Sequence, residues 1–285
     1  MFELKKMGFI KRASALLLDA ILLVVLATGF IWIISLICGY GAATEKGREY
    51  LNQRDEYRQE YFADIANKYG FIYEEAEDGK SYTIKTQEGN AASEDDLLNA
   101  LGNDENRADD ARMKEAFEAF YKISVKIHNQ QRLVHNMLFM MISIGVLLAY
   151  LILEFILPII LKNGQTVGKK VFSICLVRPN CVKITILSLF ARTLLGKFAI
   201  ETMFPILLVF LFLFRGLGWL AIVLLAAITL LNVIVFFATK NRTPIHDLIA
   251  GTVVADMKLQ MIYASEEELA AKKAAHKEFL PSGKS

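Results

Sequence analysis

Four long apolar stretches dominate the pattern along the chain, at roughly 13–38, 136–161, 198–214 and 217–239. The hydrocarbon core of a bilayer is about 30 Å thick and a helix rises about 1.5 Å per residue, so about 20 apolar residues cross it. The first, second and fourth stretches meet that length, and the third sits at the short end of the range. The first is also longer than a secretory h-region and reads as an uncleaved signal anchor. The pattern predicts an all-α membrane protein: a bundle of four transmembrane helices with a small α+β extracytoplasmic insertion. Its parts are a tail and first span (1–42), the insertion (43–134), spans two to four (135–257) with a loop at 162–197, and a tail helix (258–285).

Between the first two spans the period changes. Tyr50, Tyr57, Tyr61 and Ile65 recur near helical spacing up to Gly70, which suits a helix end. Alternating apolar residues on either side of Asp78-Gly79 predict a hairpin. Ser93 and Asp96 open a short capped helix. From about Asp109 no Pro or Gly interrupts the chain before His135, so one helix should run on into the second span. In the loop, "VFSICLV" reads as a strand ended by Pro179-Asn180, and 184–197 as an amphipathic helix lying at the membrane interface with Arg192 and Lys197. Ser265 and Glu268 form a capping box at the start of the tail helix.

The chain has 285 residues, 54% of them hydrophobic, and a net charge of +2, but the charge is unevenly placed. Segment 43–134 carries 20 acidic and 13 basic residues, while 162–197 carries seven Lys or Arg and no acid. Lys5, Lys6, Lys11, Arg12, Lys240 and Arg242 add basic flanks. Basic short loops stay in the cytoplasm. Four spans then place both termini and the 162–197 loop inside and the acidic insertion outside, in a multi-pass membrane protein. Cys38, Cys175 and Cys181 suggest neither a disulfide framework nor a zinc site.

Ionisable groups inside spans are the candidate chemistry. Asp19 lies seven residues after Arg12, about 10 Å further in. Glu154, Glu201 and Asn232 fall at a similar depth on the other three spans. Carboxylates sharing a low-dielectric bundle need a proton, a cation or a basic partner. Such a set can exchange H⁺ for Na⁺ or K⁺, or it can be a buried Arg–Asp network that only locks the helices. Arg12 lies two turns from Asp19 on the same face and is one partner open to it. Asp247 should lie near Lys169, Lys170 and Arg242, as an inner-face anchor or a salt-bridge staple. His246 is a candidate pH sensor or an ordinary polar residue. Gly164, Gln165, Thr166, Gly168 and Lys169 form a glycine- and lysine-bearing turn without a Walker pattern. No nucleophilic triad or metal cluster emerges, so catalysis and a resident metal are not expected.

"KRASALLLDAIL", "NGQTVGKKVFSICLV" and "NRTPIHDLIAGTVV" together resemble the RDD family of bacterial membrane proteins. Its naming Arg, Asp and Asp correspond to Arg12, Asp19 and Asp247. The loop element matches Gly164, Gln165, Thr166, Gly168 and Lys169, and the last element matches His246, Asp247, Ala250, Gly251 and Thr252. The family usually joins its first two spans by a short loop, so the 43–134 insertion lies outside the resemblance. The resemblance implies a polytopic plasma-membrane protein, and some members are associated with Na⁺(Li⁺, K⁺)/H⁺ antiport.

The expected function is a cation/proton antiporter or small-solute transporter, with Na⁺, K⁺ or H⁺ as cargo and no cofactor. Asp19, assisted by Glu154, would carry the proton or cation, and Arg12 would act as the switching counter-ion. The alternative is a non-transporting membrane scaffold whose insertion binds an envelope partner. Lipid is the expected surrounding, a second copy of the chain is an open partner, and nucleic acid is not expected.

Overall fold

A computed structural model describes residues 8–57, 71–75, 82–86, 88–92, 111–161, 164–214, 216–239 and 242–278. The chain divides into two compact units, Met1–Ile34 with Phe139–Ser285, and Ser35–Leu138. Four helical segments are long and apolar enough to cross a membrane: Phe9–Ile37, Tyr121–Leu161, Ile186–Leu213 and Trp219–Ala238. The fold is that of an all-α membrane protein with a few short strands.

Large apolar side chains face outward on these spans, among them Leu16, Val24, Trp32, Ile160, Leu220 and Phe237. Such surface suits lipid, which is as apolar as they are, so contact between spans depends on close packing rather than on apolar burial from water. Small residues supply it. Ala15 and Ala27 are the buried positions of the first span. Ala27 packs with Val146, Ala149 and Tyr150 of the second, joined by Phe198 and Met203 of the third.

The segment after the fourth span folds back on the 164–185 loop. Strand Ile174–Val177 pairs antiparallel with Val253–Asp256, in the register Cys175↔Ala255 and Val177↔Val253. These four side chains form a fully buried cluster. A second cluster joins Cys181 and Val182 to Tyr263 and Leu269, which ties on the tail helix Glu266–Glu278. Ser265 Oγ accepts from Glu268 N at 3.2 Å, and the Glu268 carboxylate accepts from Ala264 N at 2.7 Å, so that helix starts on a side-chain cap.

In the Ser35–Leu138 unit, helix Tyr40–Tyr57 meets the long helix Ala111–Tyr150 where Gln130 Nε2 donates to Ala43 O at 2.7 Å. Strand Phe71–Glu75 pairs antiparallel with Tyr82–Thr86, as the alternation around Asp78-Gly79 anticipates, and Ala91–Ala92 adds a third strand. The turn itself, the helix expected from Ser93 and the stretch from 58 to 70 lie outside the described residues.

One element departs from the sequence pattern. Residues 184–197 do not form a separate helix at the interface. Helix Ile186–Phe190 runs directly into Ala191–Met203 and Phe204–Leu213 as a single span, and Arg192 and Lys197 are buried. The apolar run at 198–214 is therefore only the second half of the third span. The basic residues of its first half face protein, where they have partners, and a hydropathy window reads them as surface.

Two glycines mark where backbones touch. A Cβ on Gly168 would stand 2.3 Å from Ala15 O and 2.9 Å from Asp19 Cγ. A Cβ on Gly196 would stand 2.6 Å from His246 Cα. Gly29, also on the first span, has open space around it. Gly168→Ala should therefore cost about 1–3 kcal/mol, because a backbone oxygen must move, whereas Gly29→Ala should be neutral or slightly stabilising. Thermal unfolding of the two variants in detergent checks this; equal melting temperatures would contradict the packing described.

Candidate functional site

Two stretches of helix in the second and third spans are wound more loosely than an α-helix. Leu151–Ile156 and Ala191–Met203 are π-helical, and each closes on a bond to the residue five back, Leu157 N to Ile152 O and Phe204 N to Ala199 O. Such winding is rare and recurs at functional sites. It matters here because these stretches carry Glu154, Arg192, Lys197 and Glu201. In an α-helix the five-residue step from Arg192 to Lys197 would turn the side chain by about 140°. The wider i→i+5 winding brings the two back to one side. Both reach Glu154, and Thr193 Oγ donates to the Glu154 carbonyl at 2.9 Å.

Arg192 is the centre of the network and only 2% exposed. Its Nε donates to Asp247 Oδ1 at 2.6 Å, and one terminal nitrogen donates to Glu154 Oε2 at 3.4 Å. The other lies 3.2 Å from His246 Nε2. Lys197 Nζ donates to Glu154 Oε1. Thr252 Oγ donates to Asp247 Oδ1 at 2.9 Å. Glu201 accepts twice from one residue, from His246 N at 3.1 Å and at its other oxygen from His246 Nδ1 at 2.7 Å. Burial holds His246 below its ordinary pKa, outweighing Asp247 beside it, so the ring is neutral at neutral pH. One tautomer satisfies both neighbours: Nδ1–H donates to Glu201 and bare Nε2 accepts from Arg192. Burial alone would raise Asp247, but Arg192 outweighs it and holds the carboxyl well below the usual carboxylate range.

Asp19 has different partners. Its carboxylate accepts from Thr166 Oγ and, at 2.7 Å, from Gly168 N. Thr166 is also the cap of the short helix Val167–Val171. Asp19 therefore sews the loop to the first span through two neutral donors. Arg12 is turned away to backbone carbonyls, with one terminal nitrogen 3.2 Å from Arg242 O and the other 3.0 Å from Val254 O. The Arg12–Asp19 pairing left open by the sequence is not among the ion pairs of the described residues. Asp247 is paired with Arg192 rather than enclosed by Lys169, Lys170 and Arg242: Lys169 lies close enough to act on it through its charge, but Lys170 and Arg242 are exposed.

These groups border a cavity of about 520 Å³ with a largely apolar lining. Asp19, Glu201 and Asn232 line it, as do Arg12, Arg192, Lys197, His246 and Asp247. Glu154 is not in the lining and joins the others through Arg192 and Lys197. Asn232 Nδ2 contacts its own helix at Ile228 O, 3.4 Å away. Lys169 also lines the cavity, is 7% exposed, and its Nζ has no hydrogen-bond partner among the described residues. Burial, reinforced by Arg192 and partly offset by Glu154, lowers its pKa to about 7.

Sequence reasoning assigned Arg192 and Lys197 to a surface helix and so missed the centre of the network. The signal was present as two basic residues five apart just before an apolar run, but it is legible only once π winding is known. Thr252 is legible in the sequence only as a motif position, and Lys169 as a motif residue expected beside Asp247.

A family model described as the RDD family matches residues 116–251. Gly164, Gln165, Thr166, Gly168, Lys169, His246, Asp247, Ala250 and Gly251 fall inside the match, and Arg12 and Asp19 precede it. No curated protein and no solved structure matches the chain.

The two buried lysines of the cavity should respond oppositely to substitution. Lys197→Met strips Glu154 of an ammonium and should cost about 3 kcal/mol. Lys169→Met removes a charge whose folded pKa lies below the ordinary 10.5. Between about 7 and that value the unfolded chain binds more protons, so the parent gains stability as pH rises and loses it as pH falls. Lys169→Met should therefore melt higher than the parent, with the largest gain at and below neutral pH and none above pH 10.5. Melting curves from pH 6 to 10 check both; a uniform loss at all pH values for Lys169→Met would contradict the assignment.

Proposed function

We propose, taking residues 116–251 as an RDD-family segment of a polytopic membrane protein, that the chain exchanges an alkali cation for protons across its membrane. The observation that carries this reading is the meeting of Asp19, Glu201 and Asn232, from three different spans, in one cavity with Lys169. Carboxylate and amide oxygens are the ligands that hard cations take. Asp19 and Glu201 are held by neutral donors, the Thr166 hydroxyl, the Gly168 amide and His246, so their negative charge is oriented without being cancelled. Glu154 and Asp247 are engaged by Arg192 and Lys197, which suits them to hold the spans together. The assisting role expected of Glu154 and the switching role expected of Arg12 therefore pass to other groups. The basic flanks favour both termini on the cytoplasmic side, which would open the cavity from within the cell.

The test is proton flux in liposomes that hold the purified full chain and a trapped pH dye, under imposed gradients of Na⁺, K⁺ and Li⁺. The parent should move protons against at least one cation. Asn232→Leu should slow exchange by tenfold or more, and Asp19→Asn should abolish it while the protein still inserts. Cation-independent proton movement in the parent, or equal flux in parent and both variants, would reject the reading.

A further inference from the structure

We infer that the cavity takes in one anionic phospholipid from the bilayer through a side mouth between the first and fourth spans. Its phosphate sits on Arg12 and Arg242, and an acyl chain lies along Leu16, Val233 and Phe237. This goes beyond the exchange reading and holds whether or not the chain moves ions.

The mouth follows from which lining side chains face outward. Phe9, Arg12, Leu16 and Asp19 recur at helical spacing, so one face of the first span borders the cavity. Val233 and Phe237, one turn apart, do the same on the fourth. Phe9, Leu16, Val233 and Phe237 are exposed, whereas Arg192, Lys197, His246 and Asp247 behind them are buried. The opening therefore faces the side of the bundle, where lipid lies, and its rim is apolar. A cavity of about 520 Å³ is of the size that holds an organic molecule. A single water fills only about 30 Å³, so an alkali cation and its hydration leave most of the space, and all of the apolar rim, to another occupant.

The loop end of the same cavity supplies the charge. Arg12 lines it, and its terminal nitrogens donate only to backbone carbonyls, Arg242 O at 3.2 Å and Val254 O at 3.0 Å. The first of these contacts puts the exposed Arg242 beside Arg12, and the two guanidinium charges repel each other. The acids nearby are engaged elsewhere. Asp256 pairs with Lys11 at 3.2 Å, and Asp247, which also acts on Arg12, pairs with Arg192 at 2.6 Å. Asp19 lies two turns deeper and accepts from Thr166 and Gly168. Neither Arg12 nor Arg242 has an ion-pair partner among the described residues. Two adjacent guanidiniums without a carboxylate suit a phosphate, which can accept from both forks. Basic pockets between spans are where lipid head groups bind. Leu16 is one turn, about 6 Å, further into the span than Arg12, so a phosphate held at Arg12 lays its acyl chain on the apolar rim. A free phosphate would leave that rim unfilled. A zwitterionic lipid would bring a further positive charge to the two arginines.

The test uses the full chain in phosphatidylcholine liposomes doped with a trace of phosphatidylglycerol that carries a diazirine on one acyl chain. After illumination, adducts are located by peptide mass spectrometry. Leu17 and Ile234, exposed on the same two spans but outside the lining, report ordinary surrounding lipid. Adducts at Leu16, Val233 and Phe237 should exceed those at Leu17 and Ile234. Each basic group at a lipid surface is worth about fivefold, so the excess should fall by about tenfold or more when the diazirine is carried by phosphatidylcholine instead. Inorganic phosphate in the buffer should not displace the labelled lipid. Arg242→Gln should lower the excess by about fivefold, and Arg12→Gln with Arg242→Gln should remove it. Equal labelling of the two sets of positions in the parent, equal excess with both lipids, or displacement by inorganic phosphate overturns the inference. So does an excess that survives loss of both arginines. The comparisons in the parent need no variant, so they decide the matter even where a variant does not fold.

Discussion

Arg192 holds together the end of the membrane unit where the loops lie. It is buried among Asp247, Glu154 and His246, which belong to the segment after the fourth span and to the second span. Moving one such charge from water into a low-dielectric interior costs several kcal/mol, and a paired, hydrogen-bonded geometry is what offsets it. Lipid gives spans little reason to associate through apolar contact, so this polar network and the small-residue contacts near Ala27 and Gly168 are what specify their arrangement. Two positions around the cavity follow from that anchoring. His246 is oriented by Arg192 on one side and Glu201 on the other, and Glu201 is thereby set facing the cavity.

The π winding of Leu151–Ile156 and Ala191–Met203 links local structure to chemistry. It loosens the backbone ladder where neighbouring groups can satisfy it, as Thr193 does for the Glu154 carbonyl. It also turns Arg192, Lys197 and Glu201 toward partners that a regular helix would present on different faces. Irregular backbone, buried charge and the cavity therefore coincide, and each depends on the others. Asp19 shows the same economy at a different place. Its carboxylate fixes a loop through Thr166 and Gly168 and still borders the cavity, which makes it both a structural tie and a charged wall. Lys169, three residues after that cap, is thereby held at the cavity rather than in solvent.

Much of this was legible from the residues. Apolar runs of bilayer length place the spans, the alternation around Asp78-Gly79 places a hairpin, and Ser265 with Glu268 places the start of the tail helix. Each is a local rule acting over a few residues. The strand Val253–Asp256 was hidden, because "TVVAD" is too short to read without its partner at Ile174–Val177. The third span was cut short because Arg192 and Lys197 look like surface to any window that sees only neighbours in sequence.

The sequence by itself therefore determined the number of helices long and apolar enough to cross a membrane and the loop motifs, since hydropathy and turn chemistry are properties of short stretches. Tertiary structure alone decided which charge meets which. Arg192 and Asp247 are 55 residues apart, and Asp19 and Gly168 are 149 apart. Over such separations chain composition carries no pairing information; low dielectric and helix winding select the partners, and they leave the Lys169 ammonium buried without a hydrogen-bond partner among the described residues.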